Sequence, residues 1–166
     1  RKYDQGQKAL AGAAFTAAVA KIGQDNAAAR ADFEKQASEA PDHYRWLAAL
    51  AAAQLLDKTE DQVKALQALA PKLPVEFGDL ALVMAAFQAQ GNELSIDYEH
   101  QALSEPPVRA PAAGWFVLEV RADGLWATNV RWTPDASAYL RAGEYRYFSP
   151  AVELDHETGR VLRLIN

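Results

Sequence analysis

Two side chains in the C-terminal half of this 166-residue chain could together perform covalent chemistry: His100 and Ser149. A serine hydroxyl is a useful nucleophile only when a nearby base takes its proton, and histidine titrates near neutral pH. His100 follows a run in which Leu94, Ile96 and Tyr98 alternate with polar residues, the period of a half-buried strand. Ser149 stands in a second β-type run, with Tyr145 and Tyr147 at alternate positions, just before Pro150. The two residues bracket Leu94–Pro150, and the spacing leaves open whether they meet. The absence of cysteine removes disulfides, thiolate metal sites and cysteine nucleophiles, and it fits an intracellular protein. No His/Asp/Glu group in the N-terminal half has metal-ligand spacing, and no cofactor is expected.

The elements that must position these residues fall into two compositional halves. Residues 1–72 carry 10 Lys/Arg, seven of them Lys, against 9 Asp/Glu, whereas residues 73–166 carry seven Arg, no Lys and 13 Asp/Glu. The complete change from lysine to arginine places a boundary near Pro71–Pro74. It defines a helical module of unassigned role over 1–72 and a second unit over 73–166. A net charge of −5 argues against nucleic-acid partners, which require a basic face. No apolar run reaches the roughly 20 residues that span a bilayer, so no membrane association is expected. Half the residues are hydrophobic, enough for a packed core. The start at Arg1 reads as that of a trimmed fragment.

Alanine-rich sequence over the first 70 residues favours helix. The pattern predicts helices over Gln5–Ile22 (apolar stripe Leu10, Phe15, Val19, Ile22), Ala27–Ser38 (capped by Asp25 or Asn26) and from just after Pro41-Asp42 to about Leu56. A fourth starts at a Thr59/Gln62 capping box and ends at Pro71 and Pro74. His43 shares a face with Trp46, Leu47 and Leu50 and reads as a packing or surface residue. A fifth helix is expected over 77–90, with Leu80, Val83, Met84 and Phe87 inward and a stop at Gly91-Asn92. Ser104–Ala113 reads as a loop. Trp115–Val120 and Leu125–Trp132 form a hairpin turning at Ala122–Gly124. Thr133 and Pro134 open a short helix that ends at Ala142-Gly143. Tyr145–Leu154 and Arg160–Ile165 are strands joined by a turn at 155–159, a pairing expected to set Ile165 opposite Ser149. Trp115, Trp126 and Trp132 are expected in the core, with a ligand-stacking platform as the other reading. Asp97 and Glu99 read as the wet face of a strand, and Arg146 as a solvent-facing strand residue. The fold class is α+β.

Five motifs carry more information than spacing: Asp97–Gln101, Pro111–Trp115, Trp132–Pro134, Glu144–Pro150 and Glu157–Val161. In this order they resemble the Mu-like phage I proteins, capsid-maturation proteases with scaffolding roles, over about Phe77–Asn166. More remotely, the His, Gly124–Trp126 and the aromatic-Ser pair resemble prohead proteases and the herpesvirus maturational protease, a β-barrel flanked by helices. The resemblance implies a mainly antiparallel, β-barrel-like serine protease domain in which Ser149 is the nucleophile and His100 the general base. A third catalytic member lies downstream of the serine in such proteases: His156, with Asp155 and Glu153 as other options, or a residue beyond Asn166. It also implies cleavage of scaffold and of the protein itself, with scaffold and major capsid protein as partners, self-association, and a place in the host cytoplasm inside the procapsid. A catalytically inactive scaffolding or assembly protein is the alternative.

Overall fold

A computed structural model describes residues 2–91, 93–107, 109–121 and 123–166. Five helices come first: α1 (Lys2–Val19), α2 (Asn26–Glu39), α3 (Asp42–Gln54), α4 (Thr59–Leu69) and α5 (Val75–Gln90). Strands β1 (Leu94–Asp97), β2 (Ala112–Arg121) and β3 (Gly124–Trp132) follow. Helix α6 (Pro134–Ala142) and a hairpin of β4 (Val152–Leu154) and β5 (Val161–Leu164) complete the α+β chain. The strands are antiparallel, in one sheet of order β1-β2-β3 and one of β4-β5.

Local chemistry sets the ends of these elements. The Asp25 carboxylate accepts from the Ala28 N–H, and the Thr133 hydroxyl from that of Ala136, each supplying an acceptor for an otherwise orphaned donor. Gly91 and Gly143 close α5 and α6 in the left-handed conformation. The capping box expected at Thr59 does not form. Lys58 occupies the cap position, and the Gln62 amide donates instead to the Leu56 carbonyl at 2.6 Å. Asn92 of the expected helix stop, Val108 of the proline-rich loop and Ala122 of the expected turn lie outside the described residues.

One hydrophobic core runs through the helices and the three-stranded sheet. Phe15 and Phe33 meet with ring centroids 5.1 Å apart, and Leu47, Leu50, Leu66, Met84 and Phe116 are fully buried with them. Burying each such side chain contributes about 1.5–3 kcal/mol. The buried face of α1 is Ala11, Phe15 and Ala18; of the expected stripe, Phe15 is fully buried and Val19 half-buried against the core. Leu10 and Ile22 are exposed. From β2, Phe116, Leu118 and Val120 point into the core, while Trp115, Val117 and Glu119 point away.

The small hairpin is fixed to α5. Asp79 accepts from Arg160 Nε at 2.7 Å and from the Val161 N–H at 3.2 Å. The Arg160 guanidinium crosses α5 at Gly78, where an added Cβ would collide with it and lie 2.5 Å from the Ala70 carbonyl oxygen. Glycine is required there by close approach.

The expected strand over Tyr145–Leu154 is shorter, with regular pairing confined to β4. Residues 145–151 run irregularly, and Pro150 has no N–H to give to a ladder. Pairing starts at Ala151, which donates to the Asn166 carbonyl at 3.1 Å and accepts from the Ile165 N–H at 2.8 Å. Ile165 thus pairs with Ala151 rather than with Ser149.

Candidate active site

β1 carries its chain into a tight turn. The β1–β2 register shifts between Ile96 and Asp97, a bulge that redirects the chain just before the histidine. Glu99 and His100 then both adopt left-handed backbone, with φ of 56° and 54°. Such conformations cost non-glycine residues about 1–3 kcal/mol each and persist where surrounding contacts impose them. Two contacts do so: the Gln101 N–H donates to the Tyr98 carbonyl at 3.0 Å, and Asp97 Oδ2 accepts from the Ala102 N–H at 2.7 Å.

His100 lines a cavity of about 610 Å³, and Ser149 lines the same cavity from the irregular segment before β4. The 49 positions that separate them in sequence are closed by the β2–β3 hairpin and α6. The His100 Nδ1 atom is buried, with no hydrogen-bond partner among the described residues. Ser149 is exposed.

One wall is aromatic. The cavity-lining rings of Tyr98 and Tyr145 touch each other and that of Tyr139, with centroids 5.5–6.2 Å apart. The Tyr145 hydroxyl donates to Glu99 at 3.5 Å. Burial, then the Glu99 charge, pushes the Tyr145 phenol above its ordinary value. Arg146 also lines the cavity and is exposed as expected, but it stands in the irregular segment rather than in a strand. Its Nε donates to the Gly143 carbonyl at 3.2 Å.

The downstream candidates lie elsewhere. None of His156, Asp155 and Glu153 is among the residues lining this cavity. His156 is exposed in the β4–β5 turn. Asp155 Oδ1 accepts from the Glu157 N–H, the Thr158 N–H and the Thr158 hydroxyl. The Thr158 bonds, then that of Glu157 and the neighbouring His156, hold its carboxyl below the usual carboxylate range. Glu153 pairs with Arg163.

Sequence reasoning missed Asn166 and misjudged Asp97. Asn166 lines the cavity with only 3% of its surface exposed, and its Nδ2 donates to Asp97 Oδ1 at 2.6 Å. Asp97 is thus a half-buried double acceptor rather than the wet face of a strand. A contact spanning 69 positions leaves no local signal that could have found it.

The tryptophans are also a correction. Trp115, Trp126 and Trp132 are 39%, 42% and 42% exposed, because β3 lies at the sheet edge and Trp115 and Trp126 face away from the helices. The Arg121 guanidinium packs on Trp126, 4.6 Å from the ring centroid. Trp132 lies over Gly114 and borders both the cavity and a shallow groove beside the Glu93–Arg131 pair. His43, as expected, packs on aromatic rings, those of Tyr44 and Phe77. Among the described residues no group of three or more His, Cys, Asp or Glu could hold a metal ion, and no helix is long and apolar enough to cross a membrane.

A family described as the Mu-like prophage I protein, N-terminal domain, matches residues 61–166. A curated relative, "Protease I" of Escherichia phage Mu, is 34% identical over 85 residues, covering 46% of this chain and 23% of the relative. The chain therefore spans about a quarter of that relative's length. No solved structure matches.

Proposed function

The chain belongs to the Mu-like prophage I protein family, and from that premise we propose that it is a capsid-maturation serine endopeptidase with Ser149 as nucleophile and His100 as base. The observation that carries this reading is that both residues line one cavity. In the reaction, His100 takes the Ser149 hydroxyl proton as Oγ bonds to the scissile carbonyl carbon. The imidazolium then gives that proton to the leaving amine as the C–N bond breaks. Water, deprotonated by the same histidine, releases the acyl group and restores the serine. Arg146, on the same wall, supplies positive charge toward the oxyanion.

The substrates in this reading are the scaffold and the protein itself, encountered with the major capsid protein during self-association inside the procapsid. The name "Protease I" borne by the phage Mu relative supports proteolysis. The histidine held in left-handed backbone supports a site whose geometry is kept at the expense of stability.

A fluorophosphonate probe tests the assignment, because it labels only an activated serine hydroxyl. Labelling at Ser149 that disappears in Ser149→Ala and in His100→Ala is expected, together with loss of scaffold cleavage in co-expressed heads. An unlabelled Ser149 with normal head assembly would favour the other family role, a scaffolding protein that no longer cleaves.

A further inference from the structure

We propose that Asn166 is the positioning residue for His100, accepting the imidazole Nδ1–H through its side-chain oxygen while Asp97 fixes the amide. This rests on the reading of His100 as the base and supplies the orienting partner that reading needs. A base that must take the serine proton on Nε2 carries its own proton on Nδ1, and that N–H needs an acceptor.

Several side chains around the cavity can accept, and those nearest His100 in sequence already have donors. Each Asp97 oxygen accepts one hydrogen bond, Oδ2 from the Ala102 N–H and Oδ1 from the Asn166 amide, and Glu99 accepts from the Tyr145 hydroxyl. His156, Asp155 and Glu153 do not line the cavity. Two buried polar atoms of cavity-lining residues have no partner among the described residues: His100 Nδ1 and Asn166 Oδ1. The first is a potential donor and the second an acceptor. A carboxylate can only accept, so the Asn166 atom facing Asp97 must be nitrogen, which leaves the oxygen as the free end. The two atoms are not bonded to each other in the structure. Burying either one unpaired is costly, and a side-chain adjustment that pairs them would satisfy both orphans at once.

Asparagine suits this position better than a second acid. An aspartate 2.6 Å from Asp97 would set two carboxylates against each other, and both could not ionise. An amide donates to the carboxylate on one side and accepts from the imidazole on the other. The amide of the papain-like Cys-His-Asn group illustrates the same physical role on an unrelated scaffold. Asp97 also ties the ends of the network together, since the carboxylate that holds Asn166 closes the turn that bends His100 into place.

The test is the tautomer of His100, read from imidazole 15N shifts in two-bond 1H–15N spectra of the labelled chain at a pH where the ring is neutral. The wild type is expected to hold its proton on Nδ1, and Ser149→Ala to leave it there. Asn166→Ala and the near-isosteric Asn166→Leu, neither of which offers a side-chain acceptor, are each expected to lose that preference. A wild-type ring protonated on Nε2, or an Nδ1–H that survives Asn166→Ala, overturns the proposal. If Asn166→Ala does not fold, the wild-type tautomer and Asn166→Leu still decide. The fluorophosphonate probe reads the protease assignment separately. An Asn166-dependent tautomer without Ser149 labelling would sink proteolysis and leave the positioning role standing.

Discussion

Asn166 donates its side-chain amide to Asp97 at 2.6 Å, joining the second residue after β5 to the last residue of β1. The second oxygen of the same carboxylate closes the turn containing His100. One side chain thus secures both the histidine and its neighbour across the cavity.

Removing that carboxylate should loosen both. Asp97→Ala leaves the Ala102 N–H and the Asn166 amide without their acceptor, at a cost on the order of 2–4 kcal/mol for two bonds to a charged group. Urea unfolding should show the loss. Fluorophosphonate labelling of Ser149 should fall even where the variant remains folded.

Relieving the backbone at His100 should separate stability from chemistry. Glycine adopts φ of 54° without steric penalty, so His100→Gly should be more stable by about 1 kcal/mol while losing the base. Labelling of Ser149 should drop by about 10²- to 10⁴-fold, the range of a general base. A variant as reactive as the wild type would remove His100 from the mechanism.

Gly78 should tolerate no side chain. Gly78→Ala forces the Arg160 guanidinium off α5 and presses on the Ala70 carbonyl, with a destabilisation of about 1–3 kcal/mol. Hydrogen exchange should rise in β4 and β5 before it rises in α2 or α3. An unchanged exchange pattern would show that the hairpin does not depend on this seat.

Acid should weaken the fold through identifiable groups. The hydrogen bond with Arg131 holds Glu93 below its ordinary value against the opposing effect of burial, and the Thr158 bonds do the same for Asp155. A depressed carboxylate contributes stability that is whole above its unfolded pKa of about 4 and is lost as pH falls through the lower folded value. The urea midpoint should therefore decline below about pH 4, and Asp155→Asn should flatten part of that decline. A midpoint insensitive to pH in this window would exclude both groups as contributors.

The extent to which these features were legible follows the range of the interactions behind them. The helix ends at Asp25, Gly91, Thr133 and Gly143 depend on neighbours a few residues away, and their residue types predict them. The β2–β3 hairpin follows from alternation. Residues 145–151 also alternate, but Pro150 and the shifted Ala151–Ile165 pairing keep them out of a ladder, and pairing is a property of two segments rather than one. Tryptophan hydrophobicity pointed inward, whereas the edge position of β3 decides that Trp126 and Trp132 remain half-exposed. His100 and Ser149 were suggested by chemistry and motif order. Asn166 and Asp97 acquire a role only when β1 and β5 come together.

Helix α5 has a consequence for how the site would respond to force. Its C-terminal end leads through the left-handed turn at Gly91 toward β1 and His100, while Asp79, one turn from its start, grips β5 and so the hairpin that follows Ser149. The segments that carry His100 and Ser149 are thus both anchored to one helix. A load on α5 passes to both, through Gly91 on one side and the Asp79–Arg160 clasp on the other, while the Asp97–Asn166 bond ties the two segments to each other.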